Sequence, residues 1–188
     1  MCIRDSRFIP AKNETMIGGL TFLKNWIIRS ELNNALDKIF VRDINSNNEE
    51  ELIFTDEEVY DGSISLTQKD RNTDLIYISY STPKTQARTY LYNLKTKEKK
   101  LVKEQVIPTG HDPKNYIVQR IECNSDDGRK VPLTITRHKD TPLDGSANLL
   151  LYGYGSYGAS MSPSFSSTRL SLITVSYTHL RAHETDSH

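Results

Sequence analysis

Ala147-Asn148-Leu149-Leu150-Leu151-Tyr152-Gly153-Tyr154-Gly155-Ser156-Tyr157-Gly158 is the stretch on which the reading of this chain turns. Its first six residues make a short apolar run, the pattern of a strand covered on both faces, and it breaks into a loop with glycine at 153, 155 and 158. Ser162-Pro163 follows, and Phe165, Thr168, Arg169, Leu170 and Leu172 suit a helix opening from Ser164 onward. A buried strand feeding a glycine-rich loop and then a helix is how an α/β domain begins. The loop lies at the strand's carboxyl end, where such sheets place their sites.

Working upstream, Tyr116 to Glu122 and Val131 to Thr136 are β-rich runs joined by Asn124-Ser125-Asp126-Asp127-Gly128, which reads as an antiparallel hairpin. The Pro/Gly-rich Pro108-Thr109-Gly110-His111-Asp112-Pro113 marks a boundary before it. The rhythm before that boundary is different. Trp26 to Arg29, Lys38 to Ile44, a polar turn at Asn45 to Asn48, and Glu51 to Phe54 recur in order as Leu75 to Tyr80, Arg88 to Leu94, a turn at Lys95 to Glu98, and Lys100 to Val102. Trp26 and Ile76 lie 50 residues apart, as do Asp43 and Asn93. A strand-only repeat of that length predicts the blades of a β-propeller, with a sandwich of repeated hairpins as the alternative.

With these residues in place, Tyr152 to Ser160 together with Pro163, Phe165, Ser166 and Arg169-Leu170-Ser171-Leu172 resembles the start of the α/β-hydrolase domain in the prolyl oligopeptidase family, its oligopeptidase B branch above all. Asp112 to Tyr116 and the hairpin Asp127 to Ile135 resemble that family's connection from propeller to catalytic domain. The resemblance implies the last blades of a propeller over residues 7–107, and a linker with the amino-terminal part of an α/β-hydrolase domain over 108–173. It implies a serine peptidase that cleaves short peptides after Lys or Arg through an acyl-enzyme. It further implies that the Tyr154 hydroxyl donates to the oxyanion of the tetrahedral intermediate and that Tyr157 lines the pocket for the substrate side chain. The family's nucleophile, acid and histidine come later in the chain and are not expected within these residues, so this segment alone should be inactive. Ser156 is no substitute, because Tyr154 stands where Gly-x-Ser-x-Gly needs its first glycine.

The two ends read differently from the rest. Met1 to Ser6, back-translated as ATG TGT ATA AGA GAC AGT, has the reverse complement ACT GTC TCT TAT ACA CAT, which encodes Thr174 to His179. Residues 1–6 and 174–188 are therefore expected to be translated sequencing adapter. That expectation removes the one metal-like spacing, His179, His183, Glu184 and His188, and leaves His111 and His138 as linker or surface residues and Cys123 as a half-buried thiol.

Charge and composition narrow the rest. Lys and Arg number 24 against 24 Asp and Glu, so no net field draws the chain to nucleic acid or an anionic membrane. No apolar run approaches the roughly 18 residues of a transmembrane helix. Only Cys2 and Cys123 are present, too few for a disulfide framework, and a cytoplasmic enzyme needing no cofactor or metal is expected. Its partners are expected to be short peptides. The competing readings are a non-catalytic propeller that binds other proteins and another α/β-hydrolase such as an acylaminoacyl peptidase.

Overall fold

The computed structural model describes residues 9–10, 12, 15–155, 159–174 and, by backbone, 177–182. Two antiparallel four-stranded sheets come first. One contains β1 (Thr15–Phe22), β2 (Trp26–Asn33), β3 (Leu36–Asp43) and β4 (Glu49–Glu51), and the other β5 (Asp61–Leu66), β6 (Leu75–Ser81), β7 (Arg88–Asn93) and β8 (Lys99–Glu104). Each strand pairs with the next, the up-and-down meander of a propeller blade. The first strand of each blade, β1 and β5, was not visible in the repeat as read from sequence.

The 50-residue offset is exact in the turns that set the register. Asp43 Oδ1 accepts from the Asn45 amide at 2.8 Å and Asn93 Oδ1 from the Lys95 amide at 2.9 Å. The Asn47 and Lys97 amides both donate to the carbonyl four residues back at 2.8 Å, and both residues sit in the left-handed region, at φ 59° and 62°. Asparagine tolerates that conformation and lysine less so.

The two blades share one core. Leu23, Ile28, Ile39, Val41, Leu52, Phe54 and Tyr60 meet Ile76, Ile78, Tyr80 and Leu94 in a single buried cluster. Each fully buried side chain of this size contributes about 1.5–3 kcal/mol relative to exposure. Phe54 joins the halves, with ring centroids 5.5 Å from Tyr60 and 6.3 Å from Tyr80. Trp26 Nε1 adds a hydrogen bond across the seam to Asp74 Oδ1 at 2.7 Å. On the far side of the first blade, Arg29 and Glu31 are buried as an ion pair at 2.7 Å, and Glu49 takes the other end of the guanidinium at 2.9 and 3.0 Å.

A third sheet contains β9 (Tyr116–Asn124), β10 (Lys130–His138), β11 (Asn148–Gly153) and β12 (Tyr177–Ala182), in the order β11-β12-β10-β9. β9 and β10 form the expected hairpin. Gly128 supplies the turn's φ of +82°, and Ser125 and Arg129 close it with a 2.8 Å backbone bond. β11 runs parallel to β12, so the sheet is mixed. β12 begins inside Thr174 to His179, the stretch that reads as antisense of Met1 to Ser6, and runs on to Ala182.

Three expectations are corrected here. The run Leu149 to Leu151 was read as covered on both faces, but β11 is exposed along its whole length, with Leu149 at 58% and Leu151 at 62%. It is the edge strand, and helix α1 (Ser167–Thr174) packs instead over β12 and β10. That helix begins three residues later than its sequence suggests. Pro163 is fully buried, the Phe165 amide is spent on Ser81 Oγ at 3.2 Å, and only Ser166 Oγ is left to accept from the Arg169 amide at 3.5 Å. Cys123 is exposed rather than half-buried. Among the described residues no helix is long and apolar enough to cross a membrane.

Candidate active site

Tyr154 stands where the sequence places it, immediately past the carboxyl end of β11. Its side chain is 50% exposed, and its hydroxyl has no hydrogen-bond partner among the described residues. A phenol so placed is free to donate one hydrogen bond to an incoming oxygen. Ser156 and Tyr157 lie outside the described residues.

The loop is anchored from both sides. On β11, the Tyr152 ring carries the Arg169 guanidinium of α1 at 5.3 Å from its centroid. Leu170 and Ile173, one turn apart on the inner face of α1, are buried against the sheet and fix the helix. Downstream, the Phe165–Ser81 bond ties the segment returning from the loop to the end of β6, so it is held by the propeller as well as by its own sheet.

Two spaces border this segment, and a third lies farther off between the first blade and β9. A void of about 20 Å³ between Pro83, Thr134, Pro163 and Ile173 holds at most one water. A cleft of about 300 Å³ runs between the first blade and the residues after the loop, lined by Glu31, Asp37, Asp61, Ser160 and Ser162. There burial raises the Asp37 carboxyl to about 6, the Gly62 amide donating to it at 3.3 Å opposes the rise, and Asp61 beside it adds to it. A wider cleft of about 570 Å³ separates the first blade from β9. Arg120 spans it, donating to the Asn34 carbonyl in the β2–β3 turn and to Thr134 Oγ1 at 3.2 Å. Burial lowers the Arg120 pKa against the pull of Glu58 and Glu122. In the same cleft Tyr60 is pushed up to about 12 by burial and by Glu51 and Asp37.

Sequence reading missed the Asp37–Asp61 pair and Arg120. Asp37 is the second residue of β3 and Asp61 the first of β5, and nothing in the linear sequence announces that these strands of successive blades meet. Arg120 is the one charged residue of Tyr116–Ile121, which marks it as facing something other than core. Among the described residues neither His111 nor His138 is hydrogen-bonded to a serine. His111 Nε2 meets the Lys84 carbonyl at 2.6 Å, and His138 Nδ1 accepts from the Asp140 amide at 3.3 Å. Among the described residues no group of three or more His, Cys, Asp or Glu is placed to hold a metal ion. The arrangement presents a half-exposed phenolic donor just past the end of β11.

Comparison with known proteins agrees with this architecture. Residues 3–105 match the family model "Prolyl oligopeptidase, N-terminal beta-propeller domain". Dipeptidyl aminopeptidase BI of Pseudoxanthomonas mexicana is 33% identical over 177 residues, covering 94% of this chain and 24% of that protein. Protease 2 of Moraxella lacunata is 30% identical over 118 residues, which are 63% of this chain and 17% of that one. Among solved structures, oligopeptidase B of Trypanosoma brucei, in a closed form with covalently bound antipain, superposes with a TM-score of 0.85 at 26% identity. That match covers 93% of this chain and 26% of that one. The chain thus spans about a quarter of the length of these longer relatives. Two propeller blades leading into a mixed sheet, matched along more than half of the chain, place it by descent: it belongs to the prolyl oligopeptidase family of serine peptidases.

Proposed function

We propose that this chain is part of a serine oligopeptidase of the oligopeptidase B type that hydrolyses short peptides, after Lys or Arg, in the cytoplasm. Residues 7–107 are propeller blades, 108–173 are the linker and the opening of the hydrolase domain, and residues 1–6 and 174–188 have no role in this reading. The observation that carries it is Tyr154, half exposed and unpartnered among the described residues, at the carboxyl end of a strand that follows two blades. The likeness to a peptidase solved with a covalently bound inhibitor supports the same chemistry.

In this mechanism a serine supplied from outside residues 1–188 attacks the scissile carbonyl, and negative charge develops on the carbonyl oxygen. Tyr154 donates its phenolic hydrogen to that oxygen. A donor aimed at developing charge is worth about 10²–10³ in rate, because it gains strength only as the charge forms. Tyr157 contacts the side chain on the amino side of the cut. The propeller stands over the hydrolase sheet and limits access to extended peptides.

The test begins at the gene. Reading the locus with primers that lie outside both ends should reveal a frame continuing past Ile173 to Gly-x-Ser-x-Gly and later to an aspartate and a histidine. In the enzyme so encoded, Tyr154→Phe should lower kcat about 10²–10³-fold for a Lys or Arg substrate with little change in KM. A genomic frame that encodes Thr174 to His188 and stops would overturn the proposal.

A further inference from the structure

His111 is the residue whose surroundings outrun its sequence reading. Gly110, at φ +80°, turns the chain after β8, and the Asp112 side chain caps the single 3-10 turn Pro113–Asn115 that follows, accepting from the Lys114 amide at 3.0 Å. His111 is thereby held between two fixed turns and points back into the joint. Its Nε2 lies 2.6 Å from the Lys84 carbonyl, in the β6–β7 connection of the second blade. A carbonyl only accepts, so Nε2 carries the hydrogen and donates it. The ring meanwhile sits 5.2 Å from Tyr116, the first residue of β9, and 5.2 Å edge-on to Phe165, in the segment between the Tyr154 loop and α1. Tyr116 continues the contact, edge-on to His138 at 5.7 Å.

One linker side chain thus touches the propeller, the first strand of the hydrolase sheet and the return segment of the catalytic loop. We propose that His111 is an interdomain clasp. Its hydrogen bond to the second blade and its ring contacts with Tyr116 and Phe165 lock the joint, and so hold the segment behind Tyr154 at a fixed distance from the propeller. Phe165 reports on the clasp directly, because its own amide donates across the domain boundary to Ser81 Oγ. The clasp acts through Phe165 and makes His111 a positioning residue.

Amide hydrogen exchange on the chain and its variants tests this. His111→Phe keeps a ring against Tyr116 and Phe165 but removes the hydrogen bond to Lys84, and His111→Ala removes both. In His111→Phe the Phe165 amide should exchange about tenfold faster than in the parent, while the ladder amides of β6 and β7 keep their parent rates. His111→Ala should exchange faster still at Phe165. If Phe165 exchanges at the parent rate in His111→Phe, or if the β6 and β7 amides speed up by the same factor, His111 contributes ordinary stability and the clasp is refuted.

Discussion

Replacing Asp37 by asparagine should stabilise this chain, and by an amount that depends on pH in a direction opposite to that of most carboxylates. Burial raises its pKa from 3.8 to about 6, so the folded state prefers the protonated acid. Below 3.8 both states are protonated and the group contributes nothing. Between 3.8 and 6 the folded chain binds more proton, so stability falls as pH rises, and above 6 the full cost remains. A shift of this size corresponds to about 3 kcal/mol at pH 8 and about 1 kcal/mol at pH 4.5. Asp37 is only partly buried, and solvent screening reduces these to about 1.5 and 0.5 kcal/mol. Asparagine removes the cost while its Oδ1 still accepts from the Gly62 amide and its NH₂ donates toward Asp61. Urea unfolding of the parent and Asp37→Asn should therefore give a gain near 1.5 kcal/mol at pH 8 that shrinks to about a third at pH 4.5. An equal gain at both pH values, or a loss at pH 8, would refute the assignment of a raised pKa to this cleft.

Two further predictions concern the blades. Asn47→Lys should lower the thermal midpoint by about 2–5 °C, since the left-handed backbone there suits asparagine better than lysine, and Lys97→Asn should raise it by less, because it also gives up the exposed Lys97–Glu50 ion pair; shifts of the same sign in differential scanning would contradict this. Arg29→Ala should cost about 3 kcal/mol in urea unfolding, because it removes the buried partner of Glu31 and leaves that carboxylate to the half-exposed Lys12 ammonium at 3.3 Å. Burial works against the Arg29 charge, but Glu49 and Glu31 overcome it and raise its pKa, so a loss under 1 kcal/mol would mean that Lys12 alone suffices to hold Glu31.

The parts of the fold visible in the sequence were those written in local chemistry. The β9–β10 hairpin announced itself through Asp126-Asp127-Gly128, and the blade repeat through the Asp43 and Asn93 turns, where a short polar side chain caps its own backbone. β1 and β5 escaped because their partners specify them. Met16, Ile17, Leu20 and Phe22 in β1 are exposed and show no clean alternation around Gly18-Gly19, and Ser63 and Ser65 dilute β5. The apolar run of β11 gave its type correctly and its environment wrongly, since composition reports what a strand can bury and neighbouring elements decide what it does bury. In the candidate site, the position of Tyr154 past the end of β11 was legible from the glycines around it. Asp37, Asp61 and Arg120 were not, because each matters only through a partner far away in the chain.

The core shared between the two blades separates two units that a repeat protein is usually thought to have in common. The unit of sequence is one meander of four strands, but the unit of burial is a seam containing half of each meander, from Leu23 to Leu94. A duplication that copies one meander therefore inherits two half-cores and no whole one. A chain cut at the repeat boundary would separate Phe54 from Tyr80 and leave both faces open. A cut that respects the seam must pass through the middle of a sheet.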